Sequence, residues 1–141
     1  MLARVLITAS ATIILALGLL HLVYTFWGPK LTPRDPALKA AMQSGALVIT
    51  RETTVWKTWI GFNASHSFGG ILFGLIYGYL ALIHPAFLFQ SRFLLVVGLG
   101  LLAGYLFLGK RYWFSVPFRG IVVASLCYAA GLIVYFGAET A

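Results

Sequence analysis

The chain has 141 residues, 61% of them apolar and only 9% charged, with a mean hydropathy of +0.95 and a net charge of +7. Soluble domains carry about 45–50% apolar and about 25% charged residues, so the composition excludes an ordinary water-soluble globule and implies an integral membrane protein. The single cysteine, Cys127, excludes an internal disulfide. With no basic tail and no aromatic–basic RNA motif, the positive charge points to membrane topology and anionic lipid headgroups, not to nucleic acid.

A hydrocarbon core of about 30 Å needs roughly 20 apolar residues of helix. Four stretches qualify, at about residues 5–27, 56–83, 93–109 and 114–136. The first follows Arg4 as a secretory signal would. It is too long for one and lacks a small-residue cleavage site before His21, so it reads as a retained transmembrane helix. The expected fold class is therefore all-α: a four-transmembrane-helix bundle, a single membrane domain over residues 1–141.

The segment between spans one and two is expected to contain a short amphipathic helix. Asp35-Pro36 has the form of an N-cap followed by proline at the first helical position. Leu38, Ala41, Met42, Gly45, Ala46 and Ile49 then recur at helical spacing, with Lys39 and Gln43 on the other face. That pattern fits a helix lying in the headgroup layer, where it would serve as a lid over a pocket. Thr53 or Thr54 is placed to cap the second span.

Basic residues set the orientation. Lys30, Arg34, Lys39, Arg51, Lys57, Lys110, Arg111 and Arg119 fall on one side, against Arg4 and Arg92 on the other. The positive-inside rule puts the larger group in the cytoplasm, with both termini outside. Trp27, Trp56, Trp59 and Trp113 map to the same boundary, the depth that amphipathic rings prefer. A bacterial inner membrane is the expected location.

The second span carries the chemistry. One half holds Asn63, Ser65, His66 and Ser67, polar groups that are expensive where no water replaces lost hydrogen bonds. The other holds Gly70, Gly74 and Gly78, a surface that lets a helix approach closely. Residues at i, i+4, i+7 and i+11 share a helix face, which groups Trp59, Asn63, His66 and Gly70, with Ser67 alongside. The same arithmetic groups Gly18, His21, Thr25 and Gly28 on the first span. At 1.5 Å per residue, His21 and His66 lie roughly 10 and roughly 15 Å below the same boundary. A pocket lined by His21, Thr25, Trp59, Asn63, His66, Ser67 and, at its mouth, Arg119 is expected.

Several uses compete for these residues. They can fix helix packing through interhelical hydrogen bonds. They can bind a lipid-like or quinone-like small molecule, with its head on the histidines and Asn63. Bis-histidine haem ligation by His21 and His66 is a further alternative, opposed by the close helix approach that the glycines imply; no other cofactor is expected. No metal site is expected, because no acid or third histidine joins the cluster. No catalytic residue is assigned. The only acids, Asp35, Glu52 and Glu139, lie outside the spans, and Ser65-His66-Ser67 point 100° apart on a helix, so enzymatic activity stays open. A histidine-based lipid-modifying enzyme is the third reading. An accessory subunit packing through Gly70, Gly74 and Gly78, or through Gly100 and Gly104 of span three, is the main rival to small-molecule binding. Either face would support homo- or hetero-oligomers. Gly98 and Gly109 add close-approach points, and Tyr105, Tyr128 and Tyr135 are candidates for interior hydroxyl donors.

The residues His21-Leu22-Val23-Tyr24-Thr25-Phe26, Met42, Thr53-Thr54-Val55-Trp56, the GFNASHS run from Gly61 to Ser67 and Tyr77-Gly78-Tyr79 together carry a resemblance. Over 21–119 the chain resembles an uncharacterised family of small four-span bacterial inner-membrane proteins. The resemblance implies a fold and a location; it carries over no activity and no catalytic residue.

Overall fold

The computed structural model describes residues 1–139. It is all-helical, with six helices among the described residues: α1 (Leu2–Phe26), α2 (Pro36–Ser44), α3 (Val55–Ile83), α4 (Pro85–Gln90), α5 (Arg92–Tyr112) and α6 (Ser115–Glu139). Of these, α1, α3, α5 and α6 are long and apolar enough to cross a membrane, the make-up of a multi-pass membrane protein. They overlap the four expected spans; α5 runs three residues further than expected, to Tyr112.

Local chemistry sets the helix ends. Gly28, with φ +85°, takes the left-handed conformation just past α1, where a side chain would be strained. The Asp35 carboxylate accepts from the Ala37 amide at 2.8 Å and Pro36 opens α2, as the sequence indicates. The Thr54 hydroxyl accepts from the Lys57 amide at the start of α3. Proline 85 disfavours helical backbone at His84, so α3 stops and α4 begins. The short α4 has no counterpart in the sequence reading. Ser91 caps α5 through the Leu94 amide, and Lys110 and Arg111 lie in its last turn, where cations complement the helix dipole.

One expectation is corrected. The amphipathic pattern continues to Ile49, but α2 ends at Ser44. Gly45 turns extended, and its amide closes the helix on the Ala41 carbonyl at 2.8 Å. Apolar periodicity cannot separate a helix from the extended residues that follow it in phase.

The described residues fall into two compact units, one of residues 1–17 and 70–139, the other Gly18–Gly69. The first holds the apolar core. Ile7, Ala11 and Ile14 of α1, Phe73, Tyr77 and Ala81 of α3, and Ile121, Ala124 and Tyr128 of α6 come together with Leu95, Leu102 and Tyr105 of α5. Each set recurs at steps of three, four or seven residues, so each helix contributes one stripe. The outward residues, including Leu72, Leu75, Val96, Phe107 and Leu126, are large, apolar and exposed, as lipid-facing positions require.

Two close approaches organise this core. At Gly74 a Cβ would lie 2.8 Å from the Ala11 carbonyl oxygen and 2.9 Å from Leu15 Cα, so α3 meets the backbone of α1. Gly98 of α5 is the floor of a tyrosine socket. Tyr77 donates its hydroxyl to the Leu94 carbonyl at 2.6 Å, and Tyr128 donates to the Leu95 carbonyl at 3.1 Å. A Cβ at Gly98 would fall on the Tyr128 hydroxyl and 2.8 Å from the Tyr77 ring. At one end of the unit, the Arg4 guanidinium donates to the Leu82 carbonyl, satisfying the last turn of α3.

Gly74→Ala and Gly98→Ala are expected to destabilise the protein by about 1–3 kcal/mol each through overpacking, despite the helix propensity gained. Gly100→Ala and Gly104→Ala, where nothing lies within 4 Å of the new methyl group, should not lower stability. Unfolding in detergent, followed by helicity for all four variants, checks this contrast.

Candidate functional site

The second unit contains the C-terminal part of α1, the loop bearing α2, and the N-terminal part of α3. His21 of α1 and Asn63 of α3 meet there, with His21 Nε2 3.0 Å from Asn63 Oδ1. The asparagine side-chain nitrogen donates to the Trp59 carbonyl of its own helix at 2.8 Å. That second bond fixes which way the amide points, because reversing it would set two carbonyl oxygens against each other. Asn63 Oδ1 can only accept, so His21 Nε2 carries the proton and donates.

His66, one turn further along α3, sets its ring edge-on to His21, with centroids 5.4 Å apart and planes at 89°. The two histidines thus reach one another, as the depth arithmetic requires. Both rings and Asn63 are only half-buried, so the polar cluster is not sealed by the protein. The flanking hydroxyls behave differently. Thr25 donates to the His21 carbonyl at 2.8 Å and Ser67 to the Asn63 carbonyl at 2.9 Å, both buried. Each spends its proton on its own helix and leaves only oxygen lone pairs to offer a neighbour.

Trp59 has a part that its position did not reveal. Its indole N–H donates to the Leu31 carbonyl at 2.9 Å, pinning the loop after α1 to α3. Its own carbonyl holds Asn63. One residue therefore fastens the loop and orients the amide that receives His21. Nearby, the Lys39 ammonium lies 5.5 Å from the Trp56 ring centre and that of Lys30 4.6 Å from the Tyr24 ring centre, cation–π contacts at the end of the two helices.

Of the expected lining residues, His21, Thr25, Trp59, Asn63, His66 and Ser67 all belong to this unit. Arg119 is exposed on α6 and belongs to the first unit. His84 stands at the N-cap position of α4 with no capping bond from its side chain, and its Nε2 lies 3.2 Å from Tyr79 Oη, a helix-end residue as expected. Among the described residues no group of three or more His, Cys, Asp or Glu side chains is placed to hold a metal ion.

No family model matches the chain, and neither a curated protein nor a solved structure is found similar to it. The geometry of the cluster therefore carries the functional argument alone. It offers half-buried imidazole and amide groups on two long, largely apolar helices, with Asn63 held on the Trp59 carbonyl and His21 held on Asn63.

Two measurements check this geometry. Nitrogen-15 spectra should show His21 protonated on Nε2, and Asn63→Leu should abolish that preference. Trp59→Phe, which removes only the indole donor, should speed amide exchange in residues 28–35 at least several-fold while leaving exchange in α5 unchanged.

Proposed function

We propose that this protein binds a lipid-like or quinone-like small molecule at the His21–Asn63–His66 cluster. The observation that carries the reading is the half-exposed state of these three polar side chains on two membrane-spanning helices. Polar groups serving only as packing glue are ordinarily turned fully into protein contacts. Here the three polar side chains stay partly exposed beside apolar helix surface, the combination that suits an amphipathic molecule with a polar head and an apolar tail. Thr25, Ser67 and Trp59 support His21 and Asn63 through backbone carbonyls.

The proposed setting is the inner membrane of a bacterium, with the four long helices forming a transmembrane bundle and both termini outside. The distribution of Lys and Arg among the loops supports that orientation. The cluster then lies in the cytoplasmic half of the bilayer, below the basic loop of residues 28–54. Bis-histidine haem ligation would require His21 to release Asn63 and the two rings to separate.

A second reading has its own observation. Gly100 and Gly104 are exposed on α5 with nothing within 4 Å of a built Cβ, whereas Gly74 is filled by α1. An accessory subunit would use the open pair to pack on another helix.

Native mass spectrometry and lipid extraction of the purified protein test the principal reading. A retained small molecule is expected, and His21→Ala, Asn63→Ala and His66→Ala should each cut its retention by roughly tenfold. Retention unchanged in all three variants sinks the reading. A Soret band in the absorbance spectrum would redirect it to haem, and loss of an oligomer in Gly100→Ile would favour the subunit.

A further inference from the structure

The residues that α2 gives up are the most exposed apolar side chains in the loop. After Gly45 the chain runs out, turns, and returns: Ala46 pairs with Thr54 in an antiparallel bridge, and the Val55 amide donates to the Gly45 carbonyl at 2.9 Å. The Glu52 amide donates to the Thr50 hydroxyl at 3.1 Å, tightening the return. The result is a closed finger of residues 46–54 with Val48 and Ile49 at its end. Their exposures are 110% and 88%, against 52% for Leu38 on α2. Neither is covered by anything in its own unit, and α2 buries none of its residues.

Three facts indicate what covers them. The finger returns directly into Val55, the first residue of a 29-residue helix apolar enough to span a membrane. The bilayer is therefore the nearest apolar phase, only a few residues of chain away. Second, the segment from 28 to 57 holds Lys30, Arg34, Lys39, Arg51 and Lys57 against Asp35 and Glu52, a basic excess that complements anionic headgroups. Third, Arg51 is exposed two residues beyond Ile49, placing a guanidinium beside the apolar pair. Branched aliphatics next to an arginine match the layered chemistry of a leaflet, acyl chains beneath phosphates.

We propose that the 46–54 finger is a membrane-docking element. It seats Val48 and Ile49 among the acyl chains of an anionic phospholipid leaflet while Arg51 meets the phosphates. This site is separate from the histidine cluster and shares no residue with it.

The test uses the full chain carrying Cys127→Ala, with an NBD fluorophore attached at Val48→Cys, Ile49→Cys or, as a control on α2, the exposed Gln43→Cys. The protein is placed in nanodiscs of phosphatidylcholine alone or with phosphatidylglycerol, and in detergent. In phosphatidylglycerol discs the probes at 48 and 49 should emit to the blue, resist aqueous iodide and be quenched by headgroup spin-labelled lipid, while the probe at 43 stays in water. Arg51→Gln should lower the inserted fraction about fivefold in phosphatidylglycerol discs and leave it unchanged in phosphatidylcholine. Iodide access at 48 and 49 equal to that at 43 in both discs overturns the proposal. Shielding from iodide without quenching by spin-labelled lipid also overturns it, since it would mean a covering protein surface, and insertion indifferent to phosphatidylglycerol overturns the anionic-lipid assignment.

Discussion

At Gly74 the backbone of α3 comes so near α1 that a single methyl group would have no space beside the Ala11 carbonyl. Lipid tails are as apolar as leucine, so helices inside a membrane gain little from hiding apolar side chains from one another. What holds them is close packing of small residues and a few internal hydrogen bonds. The pairing of α1 with α3 uses both devices, the glycine contact in one unit and the His21–Asn63 bond in the other. The Tyr77 and Tyr128 hydroxyls do the same work against α5, with Gly98 as the space they occupy. Each bond ends on a backbone carbonyl or an amide, partners that a hydrocarbon solvent does not supply.

The candidate site follows from that economy of polar groups. Thr25 and Ser67 return their protons to their own helices, and Asn63 returns one of its own. The polarity of these three side chains is thereby turned largely onto their own helices, while the His21 and His66 rings meet edge to face between α1 and α3. Trp59 joins this arrangement to the loop, its indole on the Leu31 carbonyl and its own backbone carbonyl on Asn63.

Much of this was legible beforehand, and the reasons can be traced to particular residues. The four spans are readable because apolar runs of this length have few alternative explanations. Asp35-Pro36 and Thr54 announce their helix starts by the chemistry of capping. Face and depth arithmetic puts His21 and His66 at comparable heights, because a helix converts residue number into angle and height, but only the pairing of α1 with α3 brings their rings together. The end of α2 was misread: Ala46 and Ile49 keep the helical spacing after the backbone has turned extended. Helix α4 was missed because six residues are too few to show a period.

The sequence by itself determined the all-helical class, the number of long apolar helices and the polar residues that those helices must accommodate. These depend on local quantities, namely run length, spacing and caps. Only the tertiary structure decided that Gly74 is filled by α1 while Gly100 stays open, and that Gly98 receives two tyrosines. It also decided that the Trp59 indole reaches Leu31 and that Val48 and Ile49 end a bridged finger. The contacts at Gly74, Gly98 and Trp59 join segments far apart in the chain, and no local pattern says which of several equivalent glycines or aromatic rings a distant segment will choose. That choice is made by packing, where a mismatch of one methyl group is enough to exclude a partner.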